Sequence, residues 1–245
     1  MESLSSVEWI DFLNAIGLAK KQLGNSDTIW YRGQNNVNYP LLPTLLRYKN
    51  GIEKEKLLFE RFCKFSERIS QRRECEWETL FEMQHYGIPT RLLDWSETFC
   101  IALFFAVYSH TEQDAAIYLL NPKKLNEQNY DGKILKLPKV DNFKYSALYI
   151  DRDLPRPTSP VAVEPIFSNS RMFAQRGMFT IHHDKTDPIE KKFPKAVKKV
   201  VLSNKLFPTI KEFLELSNIN ELTVFPDFAG MAGYLKHSTG LIMRP

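Results

Sequence analysis

The sequence predicts an α+β fold, in which a single domain holds a mixed central sheet flanked by helices. The length of 245 residues fits one large domain, or one domain with a small appendage. The 43% hydrophobic and 25% charged residues are ordinary values for a globular protein. The predicted strands and helices follow one another unevenly, unlike the regular alternation of a doubly wound sheet. We therefore expect an N-terminal helix within residues 1–26 and one folding unit over residues 27–245.

Apolar periodicity and turn residues define the elements of the N-terminal half. Trp9, Leu13 and Ile16 recur at helical spacing, and β-branched and aromatic residues that begin at Thr28 are typical of a strand. In chain order we expect a helix Ser5–Leu23, a strand Thr28–Arg32 that ends at Gly33, one or two helices over Gly51–Gln84 with a break near Arg73, and a helix Glu97–Ser109 capped by Ser96.

The C-terminal half alternates between clear strands and a stretch with little pattern. The interval Lys123–Pro160 is rich in Pro, Asp and Asn, which favours a surface excursion with one or two short elements. Around it we expect strands Ala115–Leu119, Val161–Val163, Met178–His182 and Val197–Val201, and helices Leu206–Leu216 and Asp227–Lys236.

The sequence contains no signal for export or for a membrane span. No apolar run approaches the roughly 18 residues needed to cross a bilayer, and the first residues carry acids in place of the basic start of a secretory signal. The three cysteines are odd in number and form no CxxC pair, which fits reduced thiols. We expect a cytoplasmic protein with no membrane partner.

The charge balance is mildly basic and leaves two interpretations open. The net charge is +4, and basic residues concentrate in Lys49–Lys64 and Lys185–Lys205. Such runs are usually solvated faces of helices and strands. They also fit an electrostatic footprint for the phosphate backbone of a nucleic acid.

An arginine at the end of the first strand is the first candidate for a binding residue. Arg32 is followed by Gly33, which allows a second backbone or a ligand to approach closely. One interpretation is an anion clamp, because the guanidinium is a planar fork of five donors. The other is an internal salt bridge, with Asp94 or Glu164 as the partner.

Two further polar segments lie between apolar elements. The segment 84–96 contains His85, Arg91 and Asp94 within 13 positions, beside a very apolar helix. Burial of so many polar groups is energetically unfavourable, which favours a functional site here. A local Arg91–Asp94 pair is the structural alternative. In the second segment, Arg171 and Gln175 are four residues apart and share a face if the segment is helical.

Several familiar chemistries are excluded. The sequence lacks GxxxxGK[ST], GxGxxG, HExxH, CxxC and GxSxG. His182 and His183 are adjacent on a predicted strand and therefore point to opposite faces. We expect no metal site.

Four motifs together resemble the FRG-domain family. They are YRGQ at residues 31–34, QHYGIPTRLLDW at residues 84–95, RMFAQRGMF at residues 171–179 and FPDFAG at residues 225–230. The matches extend over most of the chain from about Thr28 to Lys236, and the second motif is long and specific. The family is widespread in bacteria and phages.

The aromatic-Arg-Gly tripeptide on an early strand also resembles the start of Arg-Ser-Glu type ADP-ribosyltransferases. This weaker resemblance implies an ADP-ribosyltransferase-like fold with NAD as substrate. It implies that Arg32 holds the pyrophosphate or a ribose, and that Thr90 or Ser96 supports the nicotinamide side. A late glutamate is expected in such enzymes, whereas this chain has Gln175 in its late motif.

These resemblances together imply a set of site residues. The implied catalytic residues are Arg32, Asp94, Glu164 and Gln175. The implied NAD-binding residues are Tyr31, Arg32, Gly33, Gln34, His85, Tyr86, Thr90, Arg91 and Trp95. The arrangement requires the guanidinium groups of Arg32 and Arg91 to meet in one cavity.

The expected function is NAD-dependent ADP-ribosyl transfer by a bacterial or phage toxin or defence effector. The expected acceptor is RNA, DNA or protein, and toxicity would call for a restraining antitoxin chain. Two alternatives stay open. One is a non-catalytic module that binds a nucleotide or nucleic acid, and the other is an NAD hydrolase that uses water as acceptor.

Overall fold

A computed structural model describes residues 2–24, 26–67, 75–108, 112–138, 143–155, 157, 159–167, 169–185 and 187–241. The helices are α1 Val7–Gln22, α2 Thr44–Arg47, α3 Gly51–Ser66, α4 Glu76–His85, α5 Phe99–Val107, α6 Pro122–Tyr130, α7 Ser170–Ala174, α8 Ile189–Lys192, α9 Phe207–Leu216, α10 Glu221–Val224 and α11 Phe228–Ser238. The strands are β1 Trp30–Gln34, β2 Leu92–Ser96, β3 Ala115–Leu120, β4 Leu135–Leu137, β5 Val161–Pro165, β6 Gly177–Ile181 and β7 Val197–Leu202. None of the helices in these ranges combines the length and apolarity needed to span a membrane.

The strands form a seven-stranded mixed sheet in the order β4-β5-β6-β2-β1-β3-β7. Neighbouring strands are antiparallel, except for the parallel pair β4 and β5. Helices flank the sheet on both sides. The prediction of an α+β fold with a mixed central sheet is therefore confirmed.

The strand β3 shows why the sheet is covered on both faces. All six of its residues are buried. Ala115, Ile117 and Leu119 join one cluster with α1, α5 and α9. The alternate residues join a second cluster on the opposite face, with α6 and α8. A continuous apolar strand is what a sheet buried on both faces requires, because successive side chains point in opposite directions.

The interval Lys123–Pro160 is not the surface excursion that its composition predicts. It contains α6, β4 and one turn of π-helix at Ser146–Ile150. The rings of Tyr145 and Tyr149 are buried in a third cluster, which also contains Trp77 of α4 and two valines of β5, Val161 and Val163. Aromatic residues spaced irregularly along a polar sequence carry this packing, so neither strand nor helix periodicity revealed it.

Local boundaries differ from prediction at a few points. Strand β1 begins at Trp30, and segment 90–95 contributes most of β2, in the middle of the sheet. Ser96 lies at the end of β2, so it does not cap α5, which begins at Phe99 after Thr98. The predicted break near Arg73 lies outside the described residues, as does the predicted helix end at Ser109.

Strands β1 and β2 diverge after a single register pair, Tyr31 with Ser96. By contrast, five register pairs join β1 to β3, and five join β2 to β6. The sheet therefore opens at its centre beyond Tyr31. This opening leaves backbone groups of β2 without strand partners and creates space beside Arg32.

Helix α5 crosses the opening directly against β1. A Cβ atom on Gly33 would lie 1.8 Å from the backbone oxygen of Ala102. The glycine is required here because the helix backbone occupies the place of a side chain. The close approach anticipated at Gly33 is therefore made by a helix of the same chain.

Candidate functional site

A cavity of about 440 Å³ lies at the opening between β1 and β2. Helices α4, α5 and α7 and the loop before α11 complete its walls. Its lining residues are Tyr31, Arg32, Gly33, Gln34, Asn35, Tyr39, Arg47, Phe81, Gln84, His85, Asp94, Trp95, Ser96, Ile101, Ala102, Phe105, Tyr108, Arg171, Met172, Gln175, Gly177, Phe179 and Phe225. The volume falls in the range of about 300–1,000 Å³ that small-molecule sites occupy.

Arg32 spans the gap between the two diverging strands. Its Nη1 donates to the backbone oxygen of Asp94 over 2.7 Å and lies 3.6 Å from Asp94 Oδ2. Its buried Nε has no hydrogen-bond partner among the described residues. Burial and the nearby Arg47 lower the pKa of Arg32, while Asp94 acts against this shift. The anticipated salt bridge therefore exists with Asp94, and the side chain still faces a cavity.

Two further arginines, which sequence analysis did not place at the site, line the cavity. Arg47 donates from Nε and Nη2 to the backbone oxygen of Leu42, over 3.0 and 2.8 Å. Arg171 stacks over the ring of Phe225 at 4.6 Å, and its Nη2 lies 3.3 Å from Asp227 Oδ2. The buried Nε of Arg171 has no hydrogen-bond partner within the described part of the chain. Arg171 lies inside the RMFAQRGMF motif, which was the one signal in the sequence.

Asp94 supplies the carboxylate of the cavity. Its side chain is 53% exposed, and Oδ2 accepts a hydrogen bond of 2.8 Å from Nε2 of Gln84. In turn, Gln84 Oε1 accepts from Thr90 Oγ1 over 2.5 Å. Three guanidinium groups and this one carboxylate line the same space, and Asp227 pairs with one of the three, so one positive charge remains in excess at the cavity.

The remaining walls are aromatic and fixed by packing. Trp95 donates from Nε1 to Thr180 Oγ1 over 3.1 Å. The ring of Tyr31 packs edge-on against Phe99. Phe225 contacts two aromatic rings of α5 and the ring of Tyr108, which follows α5, at centroid distances of 5.7 to 5.9 Å. These flat apolar surfaces beside fixed cations suit a ligand that combines rings with anionic groups.

His85 contributes a neutral imidazole to the cavity at physiological pH. Burial and the positive charge of Arg171 lower the pKa of His85. Its ring lies against that of Tyr86 at 4.8 Å. The neutral ring can donate one hydrogen bond and accept another.

The cavity brings together nine of the residues that the sequence implied. They are Tyr31, Arg32, Gly33, Gln34, His85, Asp94, Trp95, Ser96 and Gln175. Gln34 is buried, and its Oε1 lacks a hydrogen-bond partner among the residues described. Gln175 donates from Nε2 to the backbone oxygen of Val224 over 3.1 Å, and its own backbone oxygen accepts from Ser96 Oγ over 2.6 Å.

Arg91 does not meet Arg32 in the cavity, so this prediction is wrong. Its side chain is fully buried and donates from Nε to Glu55 Oε1 over 2.6 Å, with a second contact from Nη2 to Glu55 Oε2. Its Nη1 donates to the backbone oxygen of His182 over 2.8 Å and lies 3.3 Å from Asp184. Although burial opposes the charge, the hydrogen bonds to Glu55 raise the pKa of Arg91. The alternative pair of Arg91 with Asp94 is also wrong.

Three other implied residues lie away from the cavity lining. Thr90 is 1% exposed and belongs to the interior. Tyr86 is 66% exposed and turns away after α4 ends. Glu164 lies on β5, 3.6 Å from Lys136 Nζ of the neighbouring strand β4. Their positions depend on where the chain turns after α4 and on the order of strands, neither of which the motifs specify.

No group of three or more His, Cys, Asp or Glu side chains within the described ranges is arranged to hold a metal ion. Both histidines of the pair at 182 and 183 are buried, and His182 Nε2 lies 3.0 Å from Thr180 Oγ1.

Comparison with known proteins identifies one family. Residues 27–115 match the family model described as the FRG domain. This range contains β1, the α3–α4 region, β2 and α5, and with them the YRGQ and QHYGIPTRLLDW motifs. No curated protein and no solved structure matches the chain. The resemblance to the FRG-domain family is confirmed over residues 27–115.

Proposed function

We propose that this FRG-domain protein binds NAD in the cavity between β1 and β2 and transfers ADP-ribose to a nucleic acid or protein. One observation carries the proposal. Three arginines, one carboxylate and several aromatic rings line a single cavity whose volume suits a small molecule. A dinucleotide combines a diphosphate with flat rings and therefore matches each of these features.

The arginines would hold the diphosphate. Guanidinium groups bind phosphate oxygens through charge-assisted hydrogen bonds, in pairs where geometry allows. Arg32 and Arg171 each carry a buried Nε without a partner in the described residues, and such atoms are costly unless a ligand or water satisfies them. Arg171 takes the place that the sequence resemblance gave to Arg91.

The aromatic walls would hold the rings of NAD. Tyr31 lies beside Arg32, where the nicotinamide would stack next to the reacting bond, while Trp95 is 3% exposed and supports this wall from the core. Gln34, at the end of β1, offers an amide for hydrogen bonds to a ribose or to the nicotinamide carboxamide. The amide of Gln175 donates from Nε2 to the backbone oxygen of Val224, and its Oε1 has no donor among the described residues, so it can accept a hydrogen bond from the ligand.

The chemistry needs positioning and one carboxylate. The bond between C1′ of the ribose and the nicotinamide nitrogen breaks, and its electron pair leaves with neutral nicotinamide. The oxocarbenium-like C1′ is stabilised by the negative charge of Asp94. An acceptor O–H or N–H then forms the new bond at C1′ and gives its proton to the carboxylate, which releases it to water.

The proposal includes a biological setting. Transfer to a nucleic acid or a protein would make the chain a toxin or defence effector, with a second chain to restrain it. The basic runs of the sequence would then attract a nucleic-acid acceptor through its phosphates.

The test uses the full chain with NAD labelled in its ADP-ribose phosphates, together with RNA, DNA or cell lysate. We expect the label to move to one class of macromolecule. Arg171→Gln should weaken NAD binding by about tenfold to a hundredfold, since it removes a charged hydrogen-bond donor. Asp94→Asn should keep NAD binding and lose transfer. Arg61→Gln, at an exposed position of α3 outside the cavity lining, makes the same charge change and serves as the control.

The other outcomes each contradict a different part of the proposal: the transfer, the cleavage or the binding of NAD. Release of free ADP-ribose without labelled macromolecules would make the chain an NAD hydrolase. Binding of intact NAD without cleavage would make it a nucleotide-binding module. Absence of NAD binding would overturn the assignment of the cavity.

A further inference from the structure

A chain of hydrogen bonds connects the interior of the protein to the Asp94 carboxylate. The backbone N–H of Leu92 donates to Thr90 Oγ1 over 3.1 Å, and Thr90 Oγ1 lies 2.5 Å from Gln84 Oε1. At the other end of the same amide, Gln84 Nε2 lies 2.8 Å from Asp94 Oδ2. The series of hydrogen bonds therefore runs from the backbone of β2, through the buried hydroxyl of Thr90 and the amide of Gln84, to the cavity.

The donor and acceptor roles in this series of hydrogen bonds follow from which groups can donate and which can only accept. The N–H of Leu92 can only donate, so it occupies a lone pair of the Thr90 oxygen. The hydroxyl hydrogen of Thr90 is then available for Gln84, and it requires the amide oxygen as its acceptor. With its oxygen held at Thr90, the amide must present its NH₂ group to Asp94. An ionised carboxylate accepts only, so this orientation is the favourable one.

This series of hydrogen bonds leaves one oxygen of the Asp94 carboxylate available to a substrate. Asp94 Oδ2 lies between Gln84 Nε2 and Arg32 Nη1, which is 3.6 Å away. Among the described residues, no group donates a hydrogen bond to Oδ1. The hydrogen bond from Gln84 and the ion pair with Arg32 both hold Oδ2, and Oδ1 can then face C1′ of a ribose or the proton of an acceptor.

We infer that Thr90 is a positioning residue, which acts through Gln84 to hold the Asp94 carboxylate in the cavity. This inference rests on the proposed function for its catalytic consequence. Thr90 is 1% exposed and does not line the cavity, so the loss of its hydroxyl removes no direct contact with a ligand. The hydroxyl of Thr90 contacts Gln84 and the backbone of β2, so the effect of its loss passes through the amide of Gln84 and the strand that carries Asp94.

The first test compares two substitutions at one position. Thr90→Val keeps the shape and loses the hydroxyl, whereas Thr90→Ser keeps the hydroxyl. We expect Thr90→Val to lower kcat for NAD cleavage by roughly tenfold or more with little change in KM, because misplacement of a catalytic group slows the chemical step. Thr90→Ser should restore most of the rate. A purely structural role would predict that both variants change thermal stability without this pattern in kcat.

The second test does not depend on any activity. The side-chain amide protons of Gln84 are identified in the NMR spectrum of the full chain as the pair that disappears in Gln84→Met. In Thr90→Val these two signals should shift or broaden, because the amide loses its fixed orientation, and in Thr90→Ser they should return. Unchanged Gln84 signals in Thr90→Val would overturn the inference, whether or not the protein cleaves NAD.

The two tests separate the inference from the proposed function. A wild-type chain that cleaves no NAD counts against the function alone, and the NMR comparison still decides the role of Thr90. If Thr90→Val fails to fold, Gln84→Met replaces it, because Gln84 is only partly buried. It should lower kcat to a similar extent, and an unaltered kcat would overturn the inference.

Discussion

Replacement of Gly33 by alanine tests the close contact between β1 and α5 that shapes the cavity. The new Cβ would lie 1.8 Å from Ala102 O, 2.8 Å from Ala106 N and 2.9 Å from Ala102 C. All three atoms belong to the backbone of α5, so no side-chain rotation can relieve the overlap. Ordinary van der Waals contact begins at 3.4 Å, so the helix would have to withdraw by about 1.6 Å.

The expected loss of stability follows from this displacement. Overpacking usually costs about 1–3 kcal/mol, and a clash with the backbone belongs at the upper end or above. We expect Gly33→Ala to lower the free energy of unfolding by about 3 kcal/mol or more. For a chain of this length, that corresponds to a fall of roughly 6–12 °C in Tm. Because Arg32 and Gln34 flank the glycine on β1, binding at the cavity should weaken as well.

Gly17→Ala provides the matched control. Gly17 lies in the interior of α1, and a Cβ there would meet nothing within 4 Å. Alanine should stabilise this exposed helix position by roughly 0.5–1 kcal/mol. Urea unfolding of the two variants and the wild type measures both effects. A loss below about 1 kcal/mol for Gly33→Ala, or an equal loss for Gly17→Ala, would refute the contact argument.

Two further predictions concern the buried charges and the buried histidine. Glu55→Gln should destabilise the protein by about 3–5 kcal/mol, because it leaves the guanidinium of Arg91 buried without its main counter-charge. The double variant with Arg91→Met should recover part of the loss in urea unfolding, and strict additivity of the two losses would contradict this pairing. Burial, aided by the positive charges of His183, Arg91 and Arg32, lowers the pKa of His182 to about 3. Between that value and the ordinary pKa of about 6.5, only the unfolded chain binds the proton, so stability should fall as pH falls from about 6.5 towards 3. His182→Gln should flatten this part of the stability curve, and an unchanged slope would contradict the assignment.

The sequence by itself determined the elements whose pattern is local. Helix α1 begins after Ser6, which accepts a hydrogen bond from the N–H of Trp9, and serine is a favoured residue at this capping position. Strand β3 and helix α9 appear within one residue of their predicted bounds. Asp227 caps α11 by accepting from the N–H of Gly230 over 2.9 Å, which accounts for the last motif as a helix start. Such features depend on residues a few positions apart, so the local sequence is enough to predict them.

The sequence also located the candidate site in outline. Arg32, Asp94 and Gln175 come from three different motifs, and the fold gathers them around one cavity. The motifs supplied this result because each contains residues that are expensive to bury without a partner. A polar residue that lacks a local reason for its position points towards a site even before the fold is known.

Only the tertiary structure decided which charged side chains are paired inside the protein and which remain available at the cavity. Arg91 and Arg32 look alike in sequence, yet Arg91 lies against a glutamate 36 residues earlier in the chain and Arg32 faces the cavity. Arg47 and Arg171 join Arg32 because β1 and β2 part after one register pair and α7 packs beside the opening. The partner of a charge is set by which segments approach in space, and strand order and register govern that approach. Periodicity and motif spacing describe the neighbours along the chain and leave the neighbours across it undetermined.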